Sequence, residues 1–134
     1  MKIFLDTNIF LDLILKREKY EDAIIILNSV ESKLFEATIL DITLLNIDYI
    51  AKKQVKDIRE FLVAVNKSFE VVGANNKDIA KALKLNNKDF EDNLQYILAK
   101  EKKCKIIVTN DKNFIKKDIE VLSSSEFIKR FDLS

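Results

Sequence analysis

Acidic and amide side chains directly follow two short apolar runs of the chain. Asp6 and Asn8 come after the apolar residues 3–5, and Asp111 comes after the apolar residues 106–108. Oxygen ligands of this kind are those that Mg²⁺ and Mn²⁺ prefer in proteins. Because the chain has no histidine and a single cysteine, any metal chemistry would rest on such oxygens. Asp and Asn in these places also form turns and helix N-caps, so neither stretch alone establishes a site.

Two further acids, Asp89 and Asp92, stand close together in the stretch KDFEDNLQYILAK. The apolar spacing of this stretch predicts a helix with both acids near its start. Capping of the unpaired helix amides and interaction with the helix dipole would account for both acids without any chemistry. The alternative is that they join other carboxylates in one site, where mutual repulsion raises the pKa values unless a divalent cation neutralises the charge.

The elements that would position these side chains alternate between short apolar runs and longer segments of helical periodicity. This alternation predicts an α/β fold with a parallel sheet of about five strands, covered by helices on both faces. Because reactive groups collect beyond the carboxyl ends of parallel strands, Asp6 and Asp111 are expected at one edge of the sheet. The predicted strands are residues 3–5, 35–39, 69–72, 106–108 and 120–122, and the predicted helices are residues 9–17, 20–31, 41–53, 55–67, 76–84, 89–102 and 123–131.

Composition limits the class of protein. The 134 residues, 48% of them apolar, suit one folded domain over residues 1–134. Lysine and arginine number 23 against 22 acids, and the net charge of +1 gives no bulk attraction to nucleic acid or membrane. No apolar run approaches the length of a membrane span and no charged leader precedes the first strand, so a cytoplasmic protein is expected.

The segments FLDTNIFLDLIL and DFEDNLQYILAKEKKCKIIVTNDKNF resemble those of PIN-domain proteins, and in particular the VapC-type toxins. The resemblance covers nearly the whole chain and rests on the order of LDTN, DFEDNLQY and VTND, each in the expected strand or helix context. It implies a single PIN-like domain with a parallel sheet flanked by helices. It also implies an endoribonuclease that uses Mg²⁺ or Mn²⁺ to polarise the phosphate and to make bound water more acidic.

By position, the resemblance assigns roles to individual side chains. Asp6, Asp92 and Asp111 match the catalytic acids that bind the metal. Asn8 and Thr109 match the polar residues that hold the site in shape, and Asp89 matches an outer member of the site.

The chain departs from the family pattern in the helix after the second strand. The family places an acid there in a pattern like Thr-Leu-x-Glu, whereas the segment DITLLNIDYI puts Asn46 at the acid position. An amide oxygen can bind a hard cation but brings no negative charge, so metal affinity is expected to fall. Asp48 and Asp41 lie roughly 200° and 140° around the helix from Asn46, so neither replaces the missing acid. A non-catalytic PIN-fold binding module is therefore an alternative to the nuclease.

The resemblance also implies partners. A VapC-type toxin of a type II toxin–antitoxin pair acts on RNA and is silenced by an antitoxin protein. The stretch YEDAIIILNSV is apolar on more than one helix face, which predicts a homodimer or an antitoxin contact, although burial in the core explains it equally well. The sequence does not define the RNA-binding residues, for which the candidates are Lys52, Lys53 and Lys56, or Lys100, Lys102, Lys103 and Lys105.

A third hypothesis is a phosphotransferase of the haloacid-dehalogenase type, which also begins with an aspartate after a first strand. That class uses Asp-x-Asp at this place. Asn8 stands where the second aspartate is needed, and no glycine-rich turn follows. The sequence therefore favours the nuclease over the phosphotransferase.

Overall fold

Five parallel strands form one sheet in the computed structural model, which describes all 134 residues. Across the sheet the strands lie in the order third, second, first, fourth, fifth, so the direction of chain progression reverses at the first strand. The predicted fold class is confirmed. In chain order the strands are β1 (Lys2–Leu5), β2 (Glu36–Leu40), β3 (Glu70–Val72), β4 (Ile106–Val108) and β5 (Glu120–Leu122).

Seven helices connect and cover these strands. None of them combines the length and the apolar character that a membrane crossing requires. They are α1 (Thr7–Ile14), α2 (Tyr20–Glu31), α3 (Asp41–Ala51), α4 (Ile58–Ser68), α5 (Asn76–Lys84), α6 (Phe90–Glu101) and α7 (Ser124–Arg130).

Both faces of the sheet are buried, which explains why its strands are short continuous apolar runs. Side chains alternate between the faces along a strand. In β1, Ile3 and Leu5 point into the larger hydrophobic cluster, which α1, α2, α3, α4 and α7 cover. Phe4 points the other way, into a smaller cluster covered by α5 and α6. The carboxyl edge of the sheet, where the strands end, therefore lies between the helices of the two faces.

The first helix is displaced from its predicted bounds of 9–17. It begins at Thr7, because the chain turns from the extended conformation of Asp6 (φ −69°, ψ 147°) directly into helix. It ends at Ile14, and the left-handed conformation of Lys16 (φ 50°) prevents its continuation. The fourth helix begins at Ile58 rather than at residue 55. The other helix and strand ends agree with the prediction to within two residues.

Candidate metal centre

The carboxyl ends of β1 and β4 lie side by side where the strand order reverses. Leu5 pairs with Val108 in the parallel register. One residue further, the Asp6 N–H donates to the Val108 carbonyl oxygen at 3.0 Å. The Thr109 N–H likewise donates to the Leu122 carbonyl oxygen at 2.9 Å. The backbone ladder thus extends past the strands and places the Asp6 and Thr109 side chains beside each other.

Asp6 is a buried carboxylate with three side-chain donors. It occupies the N-cap position of α1 but makes no capping hydrogen bond, so the capping interpretation does not account for it. Thr109 Oγ1 donates to Asp6 Oδ2 at 2.7 Å, and Gln95 Nε2 donates to Oδ1 at 3.0 Å. Asn8 Nδ2 approaches Oδ2 at 3.4 Å. Burial raises the pKa of Asp6, and the hydrogen bonds from Thr109 and Gln95 oppose that rise by stabilising the ionised form.

Three further acids converge next to Asp6. Asp89, Asp92 and Asp111 each offer a carboxylate oxygen, and these oxygens all lie within 4.8 Å of one another. The Asp92 side chain is buried, and its Oδ2 has no hydrogen-bond partner. Burial, then the negative charge of Asp6, then a hydrogen bond shared with the Asp111 carboxyl raise the pKa of Asp92 to about 8. Without a cation, Asp92 therefore keeps its proton to a much higher pH than an ordinary aspartate does.

Capping and clustering coexist at the start of α6. Asp89 Oδ1 accepts the Asp92 N–H at 3.0 Å, so Asp89 is the N-cap of the helix. Its carboxylate nevertheless belongs to the group of oxygens within 4.8 Å, whereas that of Asp6 does not. The structure thus places Asp89, the predicted outer member, in the cluster and Asp6 beside it. The charge of Asp6 still acts on both Asp92 and Asp111.

Thr109 connects the two parts of the site through one buried hydroxyl. Its Oγ1 donates to Asp6 and also accepts the Asp111 N–H at 3.0 Å. Asp111 Oδ1 in turn accepts the Asn113 N–H at 2.9 Å, which closes a turn around the carboxylate. The turn interpretation of VTND therefore holds, and Asp111 also contributes an oxygen to the acidic group.

Two side chains of the site went unnoticed in the sequence, Gln95 and Glu91. Gln95 is fully buried, and its Oε1 has no hydrogen-bond partner. The signal for Gln95 is its spacing of three residues after Asp92, which puts both on one helix face. Glu91 is partly buried, and its Oε1 accepts the Asn46 Nδ2–H at 3.1 Å. Burial raises the pKa of Glu91, and the negative charge of Asp6 raises it further.

The donor set fits a divalent cation that prefers oxygen. All donors at the site are carboxylate, amide or hydroxyl oxygens, which suits Mg²⁺ or Mn²⁺. The buried Asp92 Oδ2 and Gln95 Oε1 both lack a partner, and a buried polar atom without a partner is costly. A cation would satisfy such atoms and would offset the repulsion among the acids.

A polar cavity of about 810 Å³ adjoins Asp111 and Thr109. Lys19, Lys112 and Lys116 are the lysines that line it. These lysines differ from the predicted candidates. Lys105 directly precedes β4, at the amino end of the strand and opposite the acids. Lys100 lies in the last turn of α6, and the remaining candidates follow the ends of α3 and α6, two helices that begin at the carboxyl edge of the sheet and run away from it.

The fold and the site together define an α/β domain with an acidic cluster at the point where the order of the parallel strands reverses. Residues 2–113 match the family model described as PIN domain. The chain therefore belongs to the PIN-domain family, as the sequence motifs predicted. It is 38% identical over 144 aligned positions to Ribonuclease VapC1 of Aquifex aeolicus, an alignment that covers 98% of this chain and 96% of the relative.

Solved structures of VapC proteins share the fold. VapC20 of Mycobacterium tuberculosis, a toxin that cleaves the sarcin–ricin loop, superposes with a TM-score of 0.66 at 13% identity, covering 84% of this chain and 92% of the other. VapBC2 of Rickettsia felis, solved bound to a DNA fragment from its promoter, gives a TM-score of 0.62 at 18% identity, with 92% and 98% covered. At these identities the likeness establishes the shared fold.

Proposed function

We propose that this protein is a VapC-type ribonuclease that uses Mg²⁺ or Mn²⁺ to hydrolyse RNA phosphodiester bonds and serves as the toxin of a toxin–antitoxin pair. The observation that carries the proposal is the convergence of Asp89, Asp92 and Asp111, with a buried Asp92 oxygen that lacks a partner. The 38% identity to a protein named as a ribonuclease supports the same activity. The phosphotransferase hypothesis gains no support from the family assignment.

Each residue of the site has a separate task in this proposal. Asp92 and Asp111, together with Asp89, hold the cation, and Asp6 adds negative charge directly beside them. When bound, the cation supplies positive charge at the phosphate and makes water a better nucleophile. Thr109, and more weakly Asn8, fix the orientation of the Asp6 carboxylate.

The cavity beside Asp111 is the place for the RNA backbone in this proposal. The cationic groups of Lys19, Lys112 and Lys116 line it, and they are suited to the phosphates that flank the bond to be cleaved. No lysine or arginine forms a salt bridge with Asp89, Asp92 or Asp111. Binding of RNA and binding of the metal thus depend mainly on different side chains, with Asp111 common to the acid cluster and the cavity.

Cleavage of RNA by the purified protein is expected to require an added divalent cation. A labelled RNA transcript should stay intact with EDTA and be cleaved once Mg²⁺ or Mn²⁺ is present in excess. The products are resolved on a denaturing gel. Undiminished cleavage in EDTA would contradict the proposed metal dependence.

A binding module without catalysis is the second candidate, and Asn46 is the observation that favours it. Asn46 provides no negative charge, and its amide group is directed at Glu91 by a hydrogen bond of 3.1 Å. Mn²⁺ binding without any RNA cleavage would support this candidate over the nuclease.

Helix α2 packs Ala23 and Ile26 into the core between α1 and α7, whereas its Ile24, Ile25 and Leu27 are only partly buried. A partner contact through this second face of α2 therefore stays a prediction. The most exposed apolar side chains on helices lie on α3 and α5, where Leu45, Tyr49 and Leu83 are 69%, 76% and 67% exposed. Such exposure is consistent with the proposed antitoxin contact or homodimer.

The protein purified without an antitoxin is expected to be a dimer at micromolar concentration, because a partner would remove these apolar side chains from water. Light scattering coupled to size-exclusion chromatography measures the mass directly, against a chain mass of 15.6 kDa. A stable, monodisperse monomer under these conditions would count against the homodimer.

A further inference from the structure

Position 46 and position 91 form one contact between two helices at the edge of the acid cluster. Asn46 lies on α3 and donates through Nδ2 to Glu91 Oε1, on the first turn of α6, at 3.1 Å. In the sequence Asn46 stands where the family pattern has an acid. The structure shows what stands opposite that position, which is a carboxylate from another helix.

The contact has a defined place beside the site. Glu91 stands between Asp89 and Asp92 in the chain, and the negative charges of Asp6 and Asp89 act on its carboxylate. Three residues before Asn46 on α3, Thr43 Oγ1 forms a buried hydrogen bond of 2.9 Å with Thr7 Oγ1 of α1. This bond ties α3 to the helix that follows Asp6. The packing of α3 against α1 therefore fixes the helix that carries Asn46.

The pairing explains why an amide is suited to position 46. A carboxylate at that position would meet the Glu91 carboxylate at hydrogen-bonding distance, and two adjacent carboxylates repel unless one is protonated. An amide and a carboxylate together carry one negative charge and share a hydrogen bond. The pair thus supplies the charge that an acid on α3 would supply, but from α6.

We infer that Glu91 is an additional carboxylate of the metal site, next to Asp89, Asp92 and Asp111, and that Asn46 is a positioning residue that holds it toward the cation. The inference rests on the proposed function to the extent that it takes Asp89, Asp92 and Asp111 as a cation site. An independent observation points to a ligand there. The buried oxygens Asp92 Oδ2 and Gln95 Oε1, both on α6, have no hydrogen-bond partner. In this inference Glu91 on α6 supplies the negative charge that Asn46 on α3 does not provide.

The test is the affinity of the metal-free protein for Mn²⁺, measured by isothermal titration calorimetry without RNA. Glu91→Gln preserves size and hydrogen-bonding capacity but removes the charge, and it is expected to weaken Mn²⁺ binding by ~10–100-fold. Glu60→Gln is the matched control, since Glu60 is exposed on α4. It should bind Mn²⁺ as the wild type does.

Moving the charge back provides the decisive variant. The double substitution Asn46→Asp with Glu91→Gln conserves the size of both side chains, their hydrogen bond and the total charge. It is expected to recover Mn²⁺ affinity to within about threefold of the wild type, because it reverses the two members of the pair.

The role of Asn46 is tested by coupling. Asn46→Ala is expected to weaken Mn²⁺ binding in the wild-type background and to have little effect when Glu91→Gln is already present. Additive effects would contradict the positioning role. Wild-type affinity in Glu91→Gln would overturn the inference and leave the proposed nuclease intact. Absence of Mn²⁺ binding by the wild type would overturn both.

Discussion

Asp92→Asn is expected to lower the rate of metal-dependent RNA cleavage by at least ~100-fold. The carboxylate is lost from the centre of the Asp89, Asp92 and Asp111 group, so the cation loses a charged ligand while the side chain keeps its size. The rate is measured under single-turnover conditions at saturating Mn²⁺, so that weakened metal binding and slowed cleavage are separated.

The matched control for this substitution is Asp57→Asn. Asp57 is exposed, caps no helix through its side chain, and precedes α4, so its replacement changes the net charge equally without touching the site. It should leave the cleavage rate unchanged. An Asp92→Asn protein that cleaves RNA at the wild-type rate would remove Asp92 from the proposed catalytic acids.

The metal-free wild type is expected to lose stability as the pH rises from about 4 to 8. The pKa of Asp92 is raised from 3.8 to about 8 in the folded protein, so the folded state binds its proton more tightly than the unfolded state does. The stabilising effect of that proton is complete below pH ~4 and is lost as the pH rises through the folded pKa. Asp92→Asn should remove this dependence and stabilise the metal-free protein at pH 7 by about 1–3 kcal/mol.

The measurement is urea denaturation in EDTA at several pH values between 5 and 8, for the wild type and for Asp92→Asn. Asp6 and Glu91 also have raised pKa values and contribute with the same sign, so a part of the slope should remain in the variant. Added Mn²⁺ should stabilise the wild type increasingly as the pH rises, since the cation competes with the proton. Identical pH profiles for the two proteins would contradict the assignment of the raised pKa to Asp92.

Other acids have lowered pKa values in the folded protein, and these change the stability only below the pH range of this measurement. They are Glu70, Asp78, Asp118, Glu120 and Glu126.

Local signals were sufficient to predict most of the fold. The inner strands β1 and β4 were found because they are buried on both faces and therefore appear as apolar runs. Two helix starts follow from capping boxes, Asn75 with Asp78 and Ser123 with Glu126, and both boxes form in the structure. The first helix was misplaced because it starts directly after the extended Asp6 and stops before the left-handed Lys16, and neither backbone conformation is evident from the apolar spacing.

The candidate site was only partly predictable, because its contacts join residues far apart in the chain. Asp6 and Asp111 were found from their position directly after apolar strands. This signal is local and does not require knowing which distant residues they contact. The hydrogen bond between Asn46 and Glu91 has no such signal, since it depends on how α3 and α6 pack. Gln95 resembles an ordinary polar helix residue in the sequence, and only packing reveals that it is fully buried against Asp6.

The order of the strands also determines when the acid cluster can form during synthesis of the protein. β1 is made early, yet its neighbour β4 follows three other strands and helices in the chain, as the pairing of Ile3 with Ile106 shows. A nascent chain that has reached β3 can form the β3-β2-β1 half of the sheet. It still lacks β4, Thr109 and Asp111, as well as the start of α6. The acid cluster can therefore assemble only after Asp111 has left the ribosome, and under the proposed function the unfinished chain would cleave no RNA.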